Sequence, residues 1–281
     1  MHEFIRPTAL TVGTKLPSHS IIAINDAVDS GNPIHEDSHA RRHGFGSGLV
    51  PGVTVYGYCM RTVVALFGPE FLSAGVSSVQ LRQPFYAGEH VSVNGSVVDG
   101  MGDGTSIEVV AGGVAGEARA IVRAAFPGVR RALEPPPRAP LPSPRRPATP
   151  EGLRAERVFG TLECSFAAAD GPGFLAALGD DHACYRDVVH PAWLLRQANI
   201  VLDRNLALGP WVHVASEVEH LGTVRPGERI EVRAEVLELY ARKGHDYADI
   251  DVWLGSAGRP LMRVKHRAIY RLAAAPDRAT A

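Results

Sequence analysis

Cysteine is scarce and unpatterned: Cys59, Cys164 and Cys184 are the only three, with no C-x-x-C among them. An odd, scattered set excludes a disulfide scaffold and a structural zinc site as organising devices. Net charge is nearly absent, with 29 Lys+Arg against 30 Asp+Glu. No global field draws the chain to nucleic acid or to an anionic membrane, and neither is expected as a partner. No apolar run approaches the roughly 20 residues that span a bilayer. The N-terminal residues lack a basic stretch followed by an apolar one, so no secretory signal is expected and the protein is placed in the cytoplasm. Also missing are G-x-x-x-x-G-K-[ST] and a strand–helix G-x-G-x-x-G, so Gly46-Ser47-Gly48 reads as a turn rather than a phosphate cradle. What is there is an ordinary folded composition, 45% hydrophobic and 21% charged over 281 residues. That length suits one large domain or two of about 140 residues.

One segment stands apart, 127–152, PGVRRALEPPPRAPLPSPRRPATPEG. Proline removes backbone donors and fixes φ, so this stretch is expected outside helix and sheet, as an extended connector. It divides the chain into 1–126 and 153–281, and these halves resemble each other. A shift of 139 lays Val50-Pro51-Gly52 on Val189-His190-Pro191. The same shift lays Val79, Val91, Val93 and Val97 on Val218, Ile230, Val232 and Val236, and Gly88-Glu89 on Gly227-Glu228. One ungapped offset that serves both a helix and a strand pair argues for duplication.

Each half reads as a long apolar helix followed by an antiparallel meander. The helices are expected at 53–67 and 193–206. The strands are expected at 76–82, 90–98, 106–114 and 118–126, then at 211–220, 229–237, 246–253 and 261–271. Tight turns are expected at Tyr86–Glu89 and Arg225–Glu228. This is an α+β plan, two long buried helices each wrapped by an antiparallel sheet.

The densest polar cluster runs from Asp29 to Asp37, followed by Arg41-Arg42-His43-Gly44 and Leu49-Val50-Pro51-Gly52. Gly31 and Pro33 make an irregular loop that projects Asn32 and His35. Asp37 is expected to cap a short helix running to Arg42 and stopped by Gly44. A second glycine-rich turn delivers Gly52 to the start of the first long helix, where free N–H groups and the helix dipole suit an oxyanion. An imidazole beside such donors fits acid–base chemistry next to a thioester carbonyl. His35-Glu36-Asp37-Ser38-His39 also satisfies H-E-x-x-H. Pro33 nevertheless puts His35 in loop rather than on a regular helix, and no metal is expected.

The string Asn32-Pro33-Ile34-His35-x-Asp37, with Ala40, Gly44 and the Pro51-Gly52 helix start, resembles the MaoC-like, or (R)-specific enoyl-thioester hydratase, family. The resemblance implies a hotdog fold and, given the duplication, a double hotdog in which one chain imitates a dimer. It implies hydration or dehydration at C2–C3 of an acyl thioester of coenzyme A or an acyl carrier protein. His35 then matches the catalytic histidine and Asn32 the residue that orients water. Gly52 matches the backbone donor to the thioester carbonyl. Ser30 stands where the family has its catalytic aspartate, and Asp29 lies one position early as a candidate replacement. Tyr56, near the helix start, is a candidate for lining the pocket, with burial as the alternative.

No cofactor is implied, since coenzyme A or phosphopantetheine enters as part of the substrate. Homodimers of double hotdogs are a further expectation. The second half lacks the motif, but Asp181, His182 and His190 could form a second polar site. Two rival functions follow: a hotdog thioesterase using His190 or Asp181, and an acyl-thioester binding protein without turnover.

Overall fold

The computed structural model describes residues 10–27, 30–99, 104–113, 115–128 and 134–273. The first half comprises β1 (His19–Ile22), α1 (Asp37–Arg42), α2 (Gly52–Phe67), α3 (Phe71–Ala74), β2 (Val76–Leu81), β3 (His90–Asp99), β4 (Thr105–Gly112) and β5 (Ala118–Phe126). Between the halves lie β6 (Arg146–Pro147) and α4 (Pro150–Ala155). The second half follows with β7 (Leu162–Cys164), α5 (Gly171–Leu178), α6 (Pro191–Asn205), β8 (Leu206–Ala207), β9 (Val212–His220), β10 (Ile230–Arg242), β11 (His245–Ser256) and β12 (Arg259–Arg271).

Ten strands form one antiparallel sheet in the order β1-β3-β4-β5-β2-β9-β12-β11-β10-β7. The order reads the same from either edge once each strand is replaced by its repeat. At the central seam, β2 pairs with β9 so that Ser78 faces Glu217, a pair related by the 139-residue shift itself. A pseudo-twofold axis therefore passes through that pair. The shift also reproduces finer detail. Val50 N–H donates to Phe85 O and Val189 N–H to Val224 O, both at 2.9 Å. Gly88 and Gly227 take φ of 86° and 85°, a left-handed turn conformation that glycine adopts without penalty. β3 and β10 each carry a register break at the matching place, between Val97 and Asp99 and between Val236 and Glu238.

A single sheet thus wraps both long helices. α2 lies against β4 and β5, α6 against β10 and β12, and the helices touch each other. The approach is close at Gly57, where a Cβ would lie 2.7 Å from Leu178 Cδ2 and 3.1 Å from Ala192 Cβ. α2 is apolar nearly all round because it is enclosed by sheet, by α6 and by α5; Val53 through Met60 are buried without a break. Strands alternate as a one-sided sheet requires: Val91, Val93 and Val97 of β3 point inward, as do Ile230, Val232 and Val236 of β10.

The proline-rich segment departs from expectation. Arg146-Pro147 pairs with Leu206-Ala207 in a small parallel sheet. Pro150 opens α4 at a position where a missing N–H costs nothing, with the Thr149 hydroxyl accepting from Gly152 N–H. Upstream, Thr161 N–H donates to Ala139 O at 2.8 Å, and Arg138 pairs with Glu231. Proline thus excluded long helix and central strand but not a helix start or a two-residue bridge, and the segment is strapped along the second half.

Candidate active site

His35 is positioned by the backbone around it. Asn32 caps the 3-10 turn Pro33–His35, its Oδ1 accepting from Ile34 N–H at 3.2 Å. Leu49 N–H donates to Ile34 O, and Leu49 O receives His35 Nδ1 at 2.7 Å. A carbonyl oxygen only accepts, so Nδ1 carries the proton and Nε2 is left with a lone pair. Behind the ring, Asn25 Nδ2 donates to His35 O at 2.8 Å. A Cβ on Gly48 would lie 2.1 Å from that same oxygen, which fixes glycine there. Burial pushes the His35 imidazole below its ordinary value. The bond to Leu49 O and the charge of Asp26 work against that, and Arg196 works with it.

Two cavities meet at His35. One, of about 310 Å³, is walled mainly by apolar side chains, among them Ile34, Phe45, Val55 and Leu81, and includes Gly52. The other, of about 620 Å³, has a more polar wall that includes Asp26, Ser30 and Arg196. His35, Asn32, Pro51, Asn199 and Trp211 line both. Gly52 opens α2 after Pro51, which supplies no side-chain cap. Thr54 and Val55 N–H both donate to Pro51 O, which leaves the Gly52 and Val53 N–H groups without a carbonyl of their own helix and at the positive end of the dipole. A Cβ at Gly52 would meet Leu81 Cδ1 at 2.1 Å and His213 Nδ1 at 2.9 Å.

The remaining expected residues separate. Asp29 lies outside the described residues. Ser30 lines the more polar cavity and its hydroxyl accepts from Asn32 N–H at 3.4 Å. Asn32 is committed elsewhere than to water. Its Nδ2 donates to Trp211 O at 3.0 Å and its Oδ1 accepts from Trp211 N–H at 3.3 Å, so the amide pairs like a strand with the other half of the chain. Tyr56 is not in either cavity wall. It is fully enclosed, with its hydroxyl 2.9 Å from Ser77 Oγ and 3.3 Å from His220 Nε2. Asp37 is the first residue of α1 rather than its cap. Its carboxylate instead accepts from Ser47 Oγ and Gly48 N–H and braces the glycine turn. Of the H-E-x-x-H pair, His35 ends the 3-10 turn and His39 lies in α1.

The second-half trio does not form a site. His190 is 2% exposed. Its Nδ1 accepts from Ala192 N–H at 3.1 Å, capping α6, and its Nε2 lies 3.3 Å from Asp180 Oδ2. A backbone N–H can only donate, so Nδ1 is bare and Nε2–H donates to the carboxylate. Burial holds His190 low against the pull of Asp180, while Asp180 is held low by the histidine against its own burial. These directions and the tautomer agree on a neutral imidazole beside a carboxylate, with both ring nitrogens engaged. Asp181 points to solvent, 3.6 Å from Arg61, and His182 caps a 3-10 turn by accepting from Cys184 N–H. The helix start equivalent to Gly52 is thus plugged by its own histidine.

Sequence reasoning missed two groups. Asp26 accepts from Thr54 Oγ1 at 2.7 Å and pairs with Arg196 of α6. Asn199, one turn beyond Arg196, has an Oδ1 that is buried without a partner. The 139-residue shift lays Arg196 on Gly57 and Asn199 on Met60. Polar residues replacing the neutral face of the first helix are the signal that could have exposed them. Among the described residues, no group of three or more His, Cys, Asp or Glu is placed to hold a metal ion, and no helix is long and apolar enough to cross a membrane.

No protein-family model and no curated protein sequence matches the chain. Solved structures do. A MaoC-like dehydratase superposes with a TM-score of 0.65 at 12% identity, over 94% of this chain and 99% of the other. A conserved hypothetical protein of Mycobacterium tuberculosis, described as having a double hotdog fold, gives 0.60 at 12% identity over 92% and 96%. A protein of Novosphingobium aromaticivorans assigned as a thioesterase gives 0.55 at 13% identity over 90% and 95%. With the palindromic sheet and the two enclosed helices, these likenesses establish the architecture: the chain is a double hotdog.

Proposed function

We propose that the chain adds water to, or removes it from, C2–C3 of an acyl thioester, with His35 as the acid/base. The observation that carries this reading is the His35 ring. Its Nδ1–H is tied to Leu49 O, so the Nε2 lone pair is presented where an apolar and a more polar cavity meet beside an uncapped helix start.

In the hydration direction, Nε2 takes a proton from water as its oxygen bonds to C3. The C2=C3 pair moves toward the thioester carbonyl, and the resulting enolate oxygen is held by Gly52 N–H and the α2 dipole. The imidazolium then returns the proton to C2. Asp26, whose charge favours protonated His35, stabilises that imidazolium. Asn32 is occupied by Trp211, so the second hydrogen of the water is assigned to Asn199, the other amide side chain that lines both cavities. The chemistry requires no cofactor beyond the carrier thiol of the substrate. At about 30 Å³ per water-sized group, an apolar cavity of about 310 Å³ admits roughly ten non-hydrogen atoms, a short to medium acyl chain. The thioesterase alternative loses its residues, because His190 is sealed with both nitrogens engaged and Asp181 faces solvent.

The test is mass-resolved turnover on enoyl-coenzyme A thioesters of short, medium and branched chains, with His35→Ala alongside. A gain of one water, reduced at least ~100-fold in His35→Ala, is expected. Release of free thiol without a hydrated product would overturn the reading in favour of a thioesterase. Tight binding with no turnover on any substrate would favour a binding protein.

A further inference from the structure

The proline-rich segment carries two adjacent arginines to the end of α6, and only one of them is spent on the fold. The Arg146 guanidinium donates to Glu156 O at 2.7 Å and to Val158 O at 3.2 Å, while its backbone pairs with Leu206. Arg145 stays half exposed; it donates to Asp203 O at 3.1 Å and lies 3.6 Å from the Asp203 carboxylate. Asp203 and its neighbour Arg204 belong to the wall of the more polar cavity at His35. Arg204 is exposed and makes no ion pair among the described residues. The strap thus adds a second guanidinium to one end of that cavity.

Charge is spread unevenly along α6. Arg196, Asn199, Ile200, Asp203 and Arg204 share one side of the helix and line the cavity. At the His35 end, Arg196 is neutralised by Asp26, and its charge is felt at the His35 ring. Arg204 stands eight residues later, ~12 Å along the helix axis. There a single carboxylate, Asp203, faces both Arg145 and Arg204, which leaves one positive charge in surplus. The wall contains no charged residue beyond the Asp26–Arg196 pair and Asp203–Arg204. Such a cavity suits a ligand that reacts at one end, is neutral along its length and is anionic at the other. A pantetheine arm has that form, with two amides between its sulfur and its phosphate. We propose that this cavity takes the carrier arm of the thioester, and that Arg145 and Arg204 hold the phosphate at the end of the arm. Guanidinium forks match phosphate oxygens in geometry as well as charge. The acyl chain is then left to the apolar cavity on the other side of His35, and the strap becomes part of the substrate site. This rests on the acyl-thioester reading above.

Calorimetric binding to the full chain at low salt tests it, with saturated probes that the hydration chemistry cannot turn over. They are hexanoyl-pantetheine, hexanoyl-phosphopantetheine and hexanoyl-coenzyme A. The first has no phosphate, the second has the one at the end of the arm, and the third adds the nucleotide. The phosphopantetheine probe should bind about 10-fold more tightly than the pantetheine probe, and salt of about 1 M should remove most of that difference. In the double variant Arg145→Gln, Arg204→Gln, with its fold checked by circular dichroism, the ratio should fall to about 1. Equal binding of the first two probes to the wild type overturns the proposal without recourse to any variant, and leaves the acyl-thioester reading standing. A gain confined to hexanoyl-coenzyme A overturns it too, because the cations would then serve the nucleotide rather than the arm. A phosphate preference that survives in the folded double variant overturns the assignment to these arginines. Failure of all three probes overturns the acyl-thioester reading and this proposal with it.

Discussion

Mild acid should remove much of the stability of this fold, and buried histidines set the amount. His213 and His220 are enclosed, and burial pushes them to about 4 and about 3. His266 is also held well below its ordinary value, by burial and by the neighbouring His213. In the unfolded chain each titrates near ~6.5. Between about pH 6.5 and about pH 4 the unfolded chain therefore binds protons that the folded one refuses, and stability falls as pH falls. At about pH 5 an enclosed histidine that stays neutral costs about 1.5 units × 1.4, or about 2 kcal/mol. His213 and His220 together cost about 4 kcal/mol, and His266 acts in the same direction. That is a large part of the roughly 5–15 kcal/mol that stabilises a typical domain. Urea unfolding followed by circular dichroism at steps from about pH 7.5 to about pH 5 measures it. His220→Gln keeps an amide in reach of Ser77 and Tyr56 but does not titrate, so its curve should be shallower by about 2 kcal/mol over that interval. A stability flat across the interval, or a variant curve parallel to the wild type, would refute the reasoning.

Two more expectations follow from the site. Gly52→Ala should lower stability by about 1–3 kcal/mol, because the new methyl meets Leu81 Cδ1 and His213 Nδ1 and one of them must move; thermal melts check the cost, and turnover should fall as the cavity floor shifts. Asp26→Asn removes a charge that raises the His35 pKa, so the acid limb of kcat/KM should move to lower pH; an unmoved limb would detach Asp26 from His35.

The fold was legible because duplication leaves one offset from the start of the first long helix through the next two strands, kept by the inward Val91, Val93 and Val97 of β3 and Ile230, Val232 and Val236 of β10. Strand ends were less so. β10 runs to Arg242 rather than Leu237 because the register break after Val236 interrupts alternation, and the hairpin turn lies farther on at Lys243-Gly244. At the site, Pro33 and Asn32 announced the loop that carries His35, but nothing local says that the Asn32 amide is spent on Trp211, 179 residues away. Asp26 stands nine residues before His35 in no recognisable spacing. It matters only because Thr54 and Arg196, from two helices, hold it at the cavity. Asn199 became a candidate through what its Oδ1 lacks, a hydrogen-bond partner, which no sequence displays.

The seam between β2 and β9 has a consequence for how the two repeats could diverge. A half released by itself would expose that strand's row of amides and carbonyls, an edge open to promiscuous pairing. Fused in one chain, each edge is permanently occupied by its sister, and symmetry is no longer enforced by self-assembly. One repeat was therefore free to keep an open helix start beside His35. The other could plug its own with His190 and contribute Asn199, Trp211 and His213 to its sister's cavity. A symmetric dimer of identical chains could not have specialised in this way, because each change would have been copied into both sites at once.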